Sequence, residues 1–247
     1  MMSLTTVKQS DIIFKQYKYK LNAFSSMFFT VLLVQMVGLF LSLNSVGMMG
    51  QGTGRVYLNV SYYSADLVIV FTMISSFITS VMLTTKSNRN ADFSFITNRA
   101  TTHYSNALFI VTMSLISGIT AILSGYLLQS IMYYLVGVDF IQLQMDAGVE
   151  LLFGLVATIL YIVMFGMFGY FIGTLVQMNK LLSVILPIIF VGDVMLASLN
   201  GRSSVIIKFF EMLFTEASFP LFLIKISIII IFCFVMTIIS SNRLEVK

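Results

Sequence analysis

Few residues in this chain have the chemistry of a catalytic site. Its 247 residues include one histidine, His103, and one cysteine, Cys233, and no serine or aspartate is spaced to make His103 a catalytic base. Serine proteolysis within an apolar segment would need a Gly-x-Ser-Gly stretch, but Ser117 and Ser124 lack the first glycine. The HExxH motif, a paired-aspartate arrangement and the GxxxxGKS/T loop are also missing from the sequence. We therefore expect no catalytic residues, no metal and no nucleotide on this chain.

Two aspartates lie where a charge is costly. Asp66 is near the start of one long apolar run, and Asp193 lies inside another, beside Gly192 and after Pro187. A carboxylate within a membrane-length apolar run requires a polar partner or water. Asp193 is therefore expected to face a pore, to pair with a base such as Lys225, or to lie at the outer boundary of its run. Asp66 and Asp193 are the candidate residues of a translocation path.

Six apolar runs occupy most of the chain. They cover residues 22–43, 63–85, 104–136, 147–178, 182–199 and 224–242. A helix crosses the hydrocarbon of a bilayer with about 20 apolar residues, and backbone amides in lipid must bond internally. Composition agrees, since 10% of residues are charged against about 25% in soluble domains. The sequence predicts an all-α integral membrane protein with six transmembrane helices in a single domain over 1–247.

Basic residues indicate the orientation of these helices. If the amino terminus is cytoplasmic, only Arg55, Arg202, Lys208 and Lys225 of the 14 basic residues fall outside, which leaves 10 inside. This is the direction that the positive-inside rule requires. We expect a plasma-membrane protein with both termini in the cytoplasm. No basic cluster is interleaved with aromatic residues, so a nucleic-acid partner is not expected.

The segment 1–21 precedes the first run and has an amphipathic pattern. One helical face carries the basic residues Lys8, Lys15 and Lys18, and the opposite face carries Phe14 and Tyr17. Such a helix suits the surface of an anionic membrane, where basic side chains meet lipid headgroups and aromatic side chains enter the interface. The alternative is a solvated basic tail that only enforces orientation.

The segment 86–103 joins the second and third runs and is the only sizeable cytoplasmic loop. Asn90 or Asp92 can cap a short helix, in which exposed apolar and basic side chains recur: Phe93, Phe95, Ile96 and Arg99. Aromatic residues exposed between charges indicate a docking site for a cytosolic partner. The alternative is that these aromatic side chains only dip into the lipid interface.

Two further features concern the other runs. The segment 200–223 is an apolar helical stretch ending near Pro220, too short to span and better explained as an extracellular re-entrant or interfacial hairpin. The third and fourth runs exceed the thickness of a bilayer and should protrude into the cytoplasm. In the fourth run, Gly169 and Gly173 form a GxxxG pattern that predicts close helix packing.

This arrangement resembles a known family. A basic interfacial helix before the first run, an intracellular helix between the second and third, and a broken hairpin between the fifth and sixth are similar to the six-helix permease subunit of type-two ABC exporters. The resemblance covers the whole chain. The Asp-Phe-Ser-Phe-Ile-Thr-Asn-Arg stretch at 92–99 is similar to the coupling segment of small Gram-positive members, including permeases for phenol-soluble modulin peptides. The acidic, proline-containing motif of drug and polysaccharide exporters is not present in this sequence.

The resemblance implies partners and a substrate class. Two permease copies, or this chain and a paralogue, would sit in the lipid membrane on a dimer of separate ATP-binding subunits, which hold the ATP and magnesium. The coupling residues would be Asp92, Phe93, Phe95, Ile96 and Arg99, and the substrates amphipathic, membrane-active toxin peptides. The alternatives are a transporter driven by an ion gradient, an exporter of small molecules, and a membrane immunity or sensor subunit.

Overall fold

A computed structural model describes residues 8–43, 47–53, 56–62, 65–88, 99–136, 148–199, 204–215 and 218–242. Its elements in chain order are α1 (Gln9–Ala23), α2 (Ser25–Leu43), β1 (Gly47–Thr53), β2 (Val56–Tyr62), α3 (Asp66–Leu83), α4 (Arg99–Val136), α5 (Gly148–Met178), α6 (Leu182–Leu199), α7 (Val205–Phe214) and α8 (Phe219–Asn242). Helices therefore form nearly all of the described architecture.

Within the described part of the chain, six helices are long and apolar enough to cross a membrane: α2, α3, α4, α5, α6 and α8. This confirms the prediction of a helical multi-pass membrane protein. The helices α4 and α5 have 38 and 31 residues. At about 1.5 Å per residue, both are longer than the hydrocarbon core of about 30 Å. The choice of the plasma membrane and the cytoplasmic position of the termini stay predictions.

Both prolines of the chain lie within helices. Pro220 lies in the first turn of α8, where its missing N–H has no helical partner to lose, and α7 ends before it, at Phe214. Pro187 instead lies inside α6. The described helix continues through it, so the proline does not open the backbone around Asp193.

A two-stranded hairpin separates α2 from α3. The strands β1 and β2 pair antiparallel, with Gly47 opposite Tyr62 and Thr53 opposite Val56. The sequence analysis did not predict this hairpin. β2 alternates apolar and polar residues, as a strand does, but β1 is rich in glycine and methionine, which gives it little intrinsic strand preference.

The chain divides into two compact units. Unit one comprises Met1–Gln16, Ser80–Ala107 and Met167–Lys247, and unit two comprises Tyr17–Thr79 and Leu108–Gly166. Residues of α4 and α5 contribute to both. The prediction of a single transmembrane domain over 1–247 stays a prediction.

Close helix contacts in unit two depend on glycine. A Cβ added to Gly38 of α2 would lie 3.1 Å from the Cα atom of Val68 in α3, and one added to Gly118 of α4 would lie 2.6 Å from the side chain of Ile159 in α5. Val68 itself is fully buried. Small residues let helix backbones approach, and close packing is the main attraction between helices in lipid.

The carboxyl half of α1, from Tyr17 onward, is held within unit two. The hydroxyl groups of Tyr17 and Thr112 form a hydrogen bond of 2.8 Å, and Phe24, which follows α1, packs edge-on against the buried ring of Phe109 at a centroid distance of 5.7 Å. Both contacts reach α4. They fix the carboxyl end of α1 before the first long helix begins.

Candidate functional site

The proposed coupling residues fall largely outside the described part of the chain. Asp92, Phe93, Phe95 and Ile96 lie outside the described residues, and Arg99 is the first residue of α4. Their role as a docking site stays a prediction. The described residues on either side of this segment can still show how its two ends are held.

The end of α3 packs against α5 through a glycine. A Cβ on Gly173 would lie 3.2 Å from the Cα atom of Val81 and would overlap the side chain of Thr84. Thr84 is buried directly after the end of α3, where its hydroxyl donates to the carbonyl of Val81. This contact lies within unit one and uses one glycine of the predicted GxxxG pair. The chain therefore leaves α3 from a point fixed closely on α5.

The start of α4 is fixed to the same turn of α5 by buried polar groups. Nδ1 of His103 lies 2.7 Å from the hydroxyl oxygen of Tyr170, and Nδ2 of Asn106 donates to that oxygen at 2.9 Å. These three side chains are 7%, 2% and 3% exposed in the order His103, Tyr170, Asn106. Buried polar networks hold helices in one arrangement because a broken bond leaves an unpaired group in a low dielectric.

The end of α3 and the start of α4 are thus both held on one turn of α5, residues 170–173. The sequence analysis considered His103 only as a catalytic base and did not predict Tyr170 or Asn106 as its partners. Tyr170 is 67 residues from His103 in the chain. One indication of this contact was present in the sequence. Tyr170 carries a hydroxyl group and lies between Gly169 and Gly173, where the neighbouring side chains are apolar.

The basic residues of α1 are exposed, but its buried face differs from the predicted pattern. Lys8, Lys15 and Lys18 are exposed, and Phe14 is 54% exposed. The buried positions are Gln16, at 0%, and Lys20, at 2%. They are four residues apart, so the buried stripe is offset from the predicted apolar face. A position on a membrane surface stays a prediction for this helix.

Asp193 caps the helix that follows it. Its carboxylate accepts hydrogen bonds from the hydroxyl of Ser204 and from the backbone N–H of Ile206, the latter at 3.1 Å. Ser204 is the N-cap of α7, and its oxygen also accepts from the N–H of Ile207 at 3.2 Å. The first N–H groups of a helix lack intrahelical partners and carry partial positive charge. A carboxylate at this position accepts hydrogen bonds from these N–H groups and its negative charge balances their partial positive charge.

The opposite end of α7 is bound by a base. Lys225 of α8 donates to the backbone carbonyl of Met212, and the backbone N–H of Thr215 donates to the carbonyl of Glu211 at 2.9 Å. An acid at the amino end and a base at the carboxyl end match the helix dipole. Asp193 and Lys225 therefore act at opposite ends of α7, which joins α6 to α8 within unit one.

The remaining surface of α7 is mostly apolar. Within α7, Leu213 is buried, whereas large apolar side chains are exposed: Val205, Ile207, Phe209, Met212 and Phe214. A helix with satisfied ends and an exposed apolar surface has the features of a re-entrant or interfacial segment. Its depth in a membrane stays a prediction.

Asp66 is exposed in the first turn of α3. The amino end of a helix is a favourable place for an acidic side chain.

These features define a helical multi-pass membrane protein in which the end of α3 and the start of α4 pack on one turn of α5, and a capped short helix precedes the last span. Within the described residues, no group of three or more histidine, cysteine, aspartate or glutamate side chains could hold a metal ion. Comparisons with family models, with curated proteins and with solved structures find no match to this chain.

Proposed function

We propose that the chain is the transmembrane permease subunit of an ABC exporter of the type-two class, in the plasma membrane of a Gram-positive bacterium. Two copies, or one copy and a paralogue, act with a dimer of separate ATP-binding subunits. Both termini lie in the cytoplasm. The order of the elements supports this proposal: a short helix precedes six long apolar helices, and a capped short helix lies between the last two.

The observation that carries the proposal is the attachment of the 85–98 segment. The helices on either side of it, α3 and α4, are held on residues 170–173 of α5 by the close contact of Gly173 with Val81 and by the hydrogen bonds of Tyr170 with His103 and Asn106. A force applied to this segment would reach α3, α4 and α5 together, because a packed interior transmits strain. An ATP-driven permease requires such a connection.

In the proposed mechanism, ATP and magnesium bind to the partner subunits, and closure of the partner dimer moves the segment containing Phe93, Phe95 and Ile96. The motion passes through the buried contacts on α5 as a rigid-body displacement of helices. The permease contributes no catalytic group to ATP hydrolysis. Its residues position the partner and convert the partner's closure into a change of the membrane helices.

We propose amphipathic, membrane-active peptides as the substrates. The resemblance of the 92–99 motif to peptide-exporting permeases supports this class. Methionine is also frequent, at 17 residues, and its flexible thioether side chain adapts to varied apolar surfaces. Asp66 and Asp193 are the candidate residues of the path, although the capping role of Asp193 already accounts for its carboxylate. Small hydrophobic molecules are the alternative substrate class.

The decisive experiment is co-purification of the tagged permease with an ATPase from its native membrane. We expect a stoichiometric ATPase whose turnover is retained in nanodiscs. A double variant, Phe93→Ala with Phe95→Ala, should insert normally but lose the ATPase, whereas Phe29→Ala with Phe40→Ala, two exposed positions on α2, should retain it. Purification of an active transporter without any ATPase would replace the proposal with an ion-gradient mechanism.

Substrate class is tested separately by accumulation. Cells lacking the permease should retain amphipathic peptides in the cytoplasm and become more sensitive to added peptides. Unchanged peptide secretion and sensitivity, together with reduced efflux of a hydrophobic dye, would favour the small-molecule alternative. Retention of both activities in the deleted cells would argue against export by this chain.

A further inference from the structure

A buried amide lies in the middle of the first long helix. Gln35 is the eleventh residue of the 19 in α2 and is 2% exposed. The side-chain nitrogen Nε2 of Gln35 donates two hydrogen bonds. One goes to the hydroxyl oxygen of Thr72 in α3 at 3.1 Å, and the other goes to the backbone carbonyl of Ser117 in α4 at 2.9 Å. Gln35 thus connects three helices of unit two at a depth where polar side chains are rare.

These contacts determine how the amide of Gln35 is oriented. The carbonyl of Ser117 can only accept a hydrogen bond, so an N–H group must face it. The hydroxyl of Thr72 donates its own proton to the carbonyl of Val68 at 2.6 Å, so it accepts from Gln35. Exchange of the amide nitrogen and oxygen would place two acceptors against each other. Both N–H groups of Gln35 are therefore used, and Oε1 lies away from them.

Two polar atoms of this region have no partner among the described residues. Oε1 of Gln35 is buried and accepts no hydrogen bond from that part of the chain, and Oγ of Ser114 is likewise buried without a bond. Ser114 is fully buried and precedes Ser117 by three residues, so both serines lie on one face of α4. Carbonyl and hydroxyl groups are costly to bury unless something bonds to them.

The ligand that fits these atoms is neutral and small. Oε1 requires a donor, and a serine hydroxyl can either donate or accept. The ionisable groups on the three helices are distant along the chain: Asp66 precedes Thr72 by six residues, about 9 Å of helix, and His103 precedes Ser117 by 14 residues, about 21 Å. A cation would have no nearby carboxylate, whereas water supplies both a donor and an acceptor.

We propose that unit two contains an internal water site beside Gln35 and Ser114, at the junction of α2, α3 and α4. Water donates to Oε1 of Gln35 and bonds to the hydroxyl of Ser114. The site completes the hydrogen bonding of a polar junction in the middle of the predicted bilayer. It is independent of the partner ATPase and of the exported substrate, so it stands or falls separately from the proposed function.

The test is water-edited solid-state NMR of the full chain in lipid nanodiscs, with glutamine labelled by ¹³C and ¹⁵N. The Gln35 signals are assigned by their disappearance in Gln35→Met, which keeps the length of the side chain. We expect water magnetisation to reach the Gln35 amide as early as it reaches Gln9, which is exposed at the start of α1, although Gln35 is buried. Ser114→Ala should slow this transfer several-fold, whereas Ser130→Ala, at an exposed position of α4, should not.

Two results would overturn the site. One is a Gln35 amide that receives water magnetisation no faster than the buried side chain of Leu39 on the same helix. The other is an NMR contact showing that a side chain of the protein itself donates to Oε1. If Gln35→Met does not fold, the Gln35 signals are assigned with Gln35→Asn, which keeps an amide, and the serine pair then decides the question. Transfer that is unchanged in both Ser114→Ala and Ser130→Ala excludes a water shared by Gln35 and Ser114.

Discussion

Gly173 of α5 and Val81 of α3 approach so closely that a methyl group on Gly173 would lie 3.2 Å from the Cα atom of Val81. The neighbour at this point is backbone, which cannot rotate away as a flexible side chain can. The same methyl group would also overlap the side chain of Thr84. Only glycine allows the two helices to keep this separation at the end of α3.

Replacing Gly173 with alanine should therefore destabilise the protein. We expect a loss of about 1–3 kcal/mol, which is typical of overpacking in a close-packed interior. Gly154 provides the matched control on the same helix, since a Cβ there would meet nothing within 4 Å. Thermal unfolding in nanodiscs should show a lower midpoint for Gly173→Ala and an unchanged or higher one for Gly154→Ala. Equal midpoints for the two variants would contradict the close contact.

Removing the hydroxyl of Tyr170 should weaken the attachment of α4 to α5. Tyr170→Phe keeps the ring but removes the hydrogen bonds of His103 and Asn106 to the Tyr170 hydroxyl, at a cost of about 0.5–1.5 kcal/mol for each bond lost. Tyr134→Phe is the control, because Tyr134 is 89% exposed. Unfolding and hydrogen exchange at the start of α4 report the effect.

The same variant also bears on the proposed function. If residues 170–173 transmit motion from the ATPase, Tyr170→Phe should retain the partner but lower the amount of substrate exported per ATP hydrolysed. A variant with reduced stability and an unaltered ratio would give Tyr170 a structural role only.

The fold was largely predictable because membrane helices follow from length and hydropathy. Each of the six runs reached about the length that hydrocarbon requires, and no tertiary contact was needed to recognise it. The polar contacts were less accessible. His103 meets Tyr170 across 67 residues and Gln35 meets Ser117 across 82, and no local pattern encodes which faces of two helices come together.

Asp193 illustrates the same limit at shorter range. The cost of its charge was evident from the apolar run, and three explanations were open: a pore, a pair with Lys225, or a boundary position. The structure shows a cap on α7, with Lys225 bonded at the other end of that helix, while a position at the pore or at the boundary of the membrane stays a prediction. Capping depends on how the chain turns between α6 and α7. Composition and periodicity contain no information about that turn.

Removing the cap should loosen α7 without disturbing the long helices. Ser204→Ala deletes the N-cap hydroxyl, at a cost of about 0.5–2 kcal/mol, and Asp193→Ala should act in the same direction because Ile206 then loses its acceptor. Asp193→Asn retains an acceptor oxygen and should have a smaller effect. Hydrogen exchange of the first amides of α7 should increase in both alanine variants. Ser130→Ala, on the exposed surface of α4, should leave those amides unchanged.

Orientation in the membrane can be tested by accessibility of single cysteines. The native Cys233 is buried and is first replaced by alanine, which gives a background free of thiols. A cysteine at Asn90 should resist a membrane-impermeant thiol reagent in intact cells and react after the cells are opened, since ten of the 14 basic residues favour a cytoplasmic position for its loop. A cysteine at Gln51, in the segment between α2 and α3, should react in intact cells. If the cysteine at Asn90 reacts in intact cells and the cysteine at Gln51 does not, the predicted topology is reversed. The segment containing Phe93 and Phe95 would then lie outside the cell, where no ATP-binding subunit could reach it.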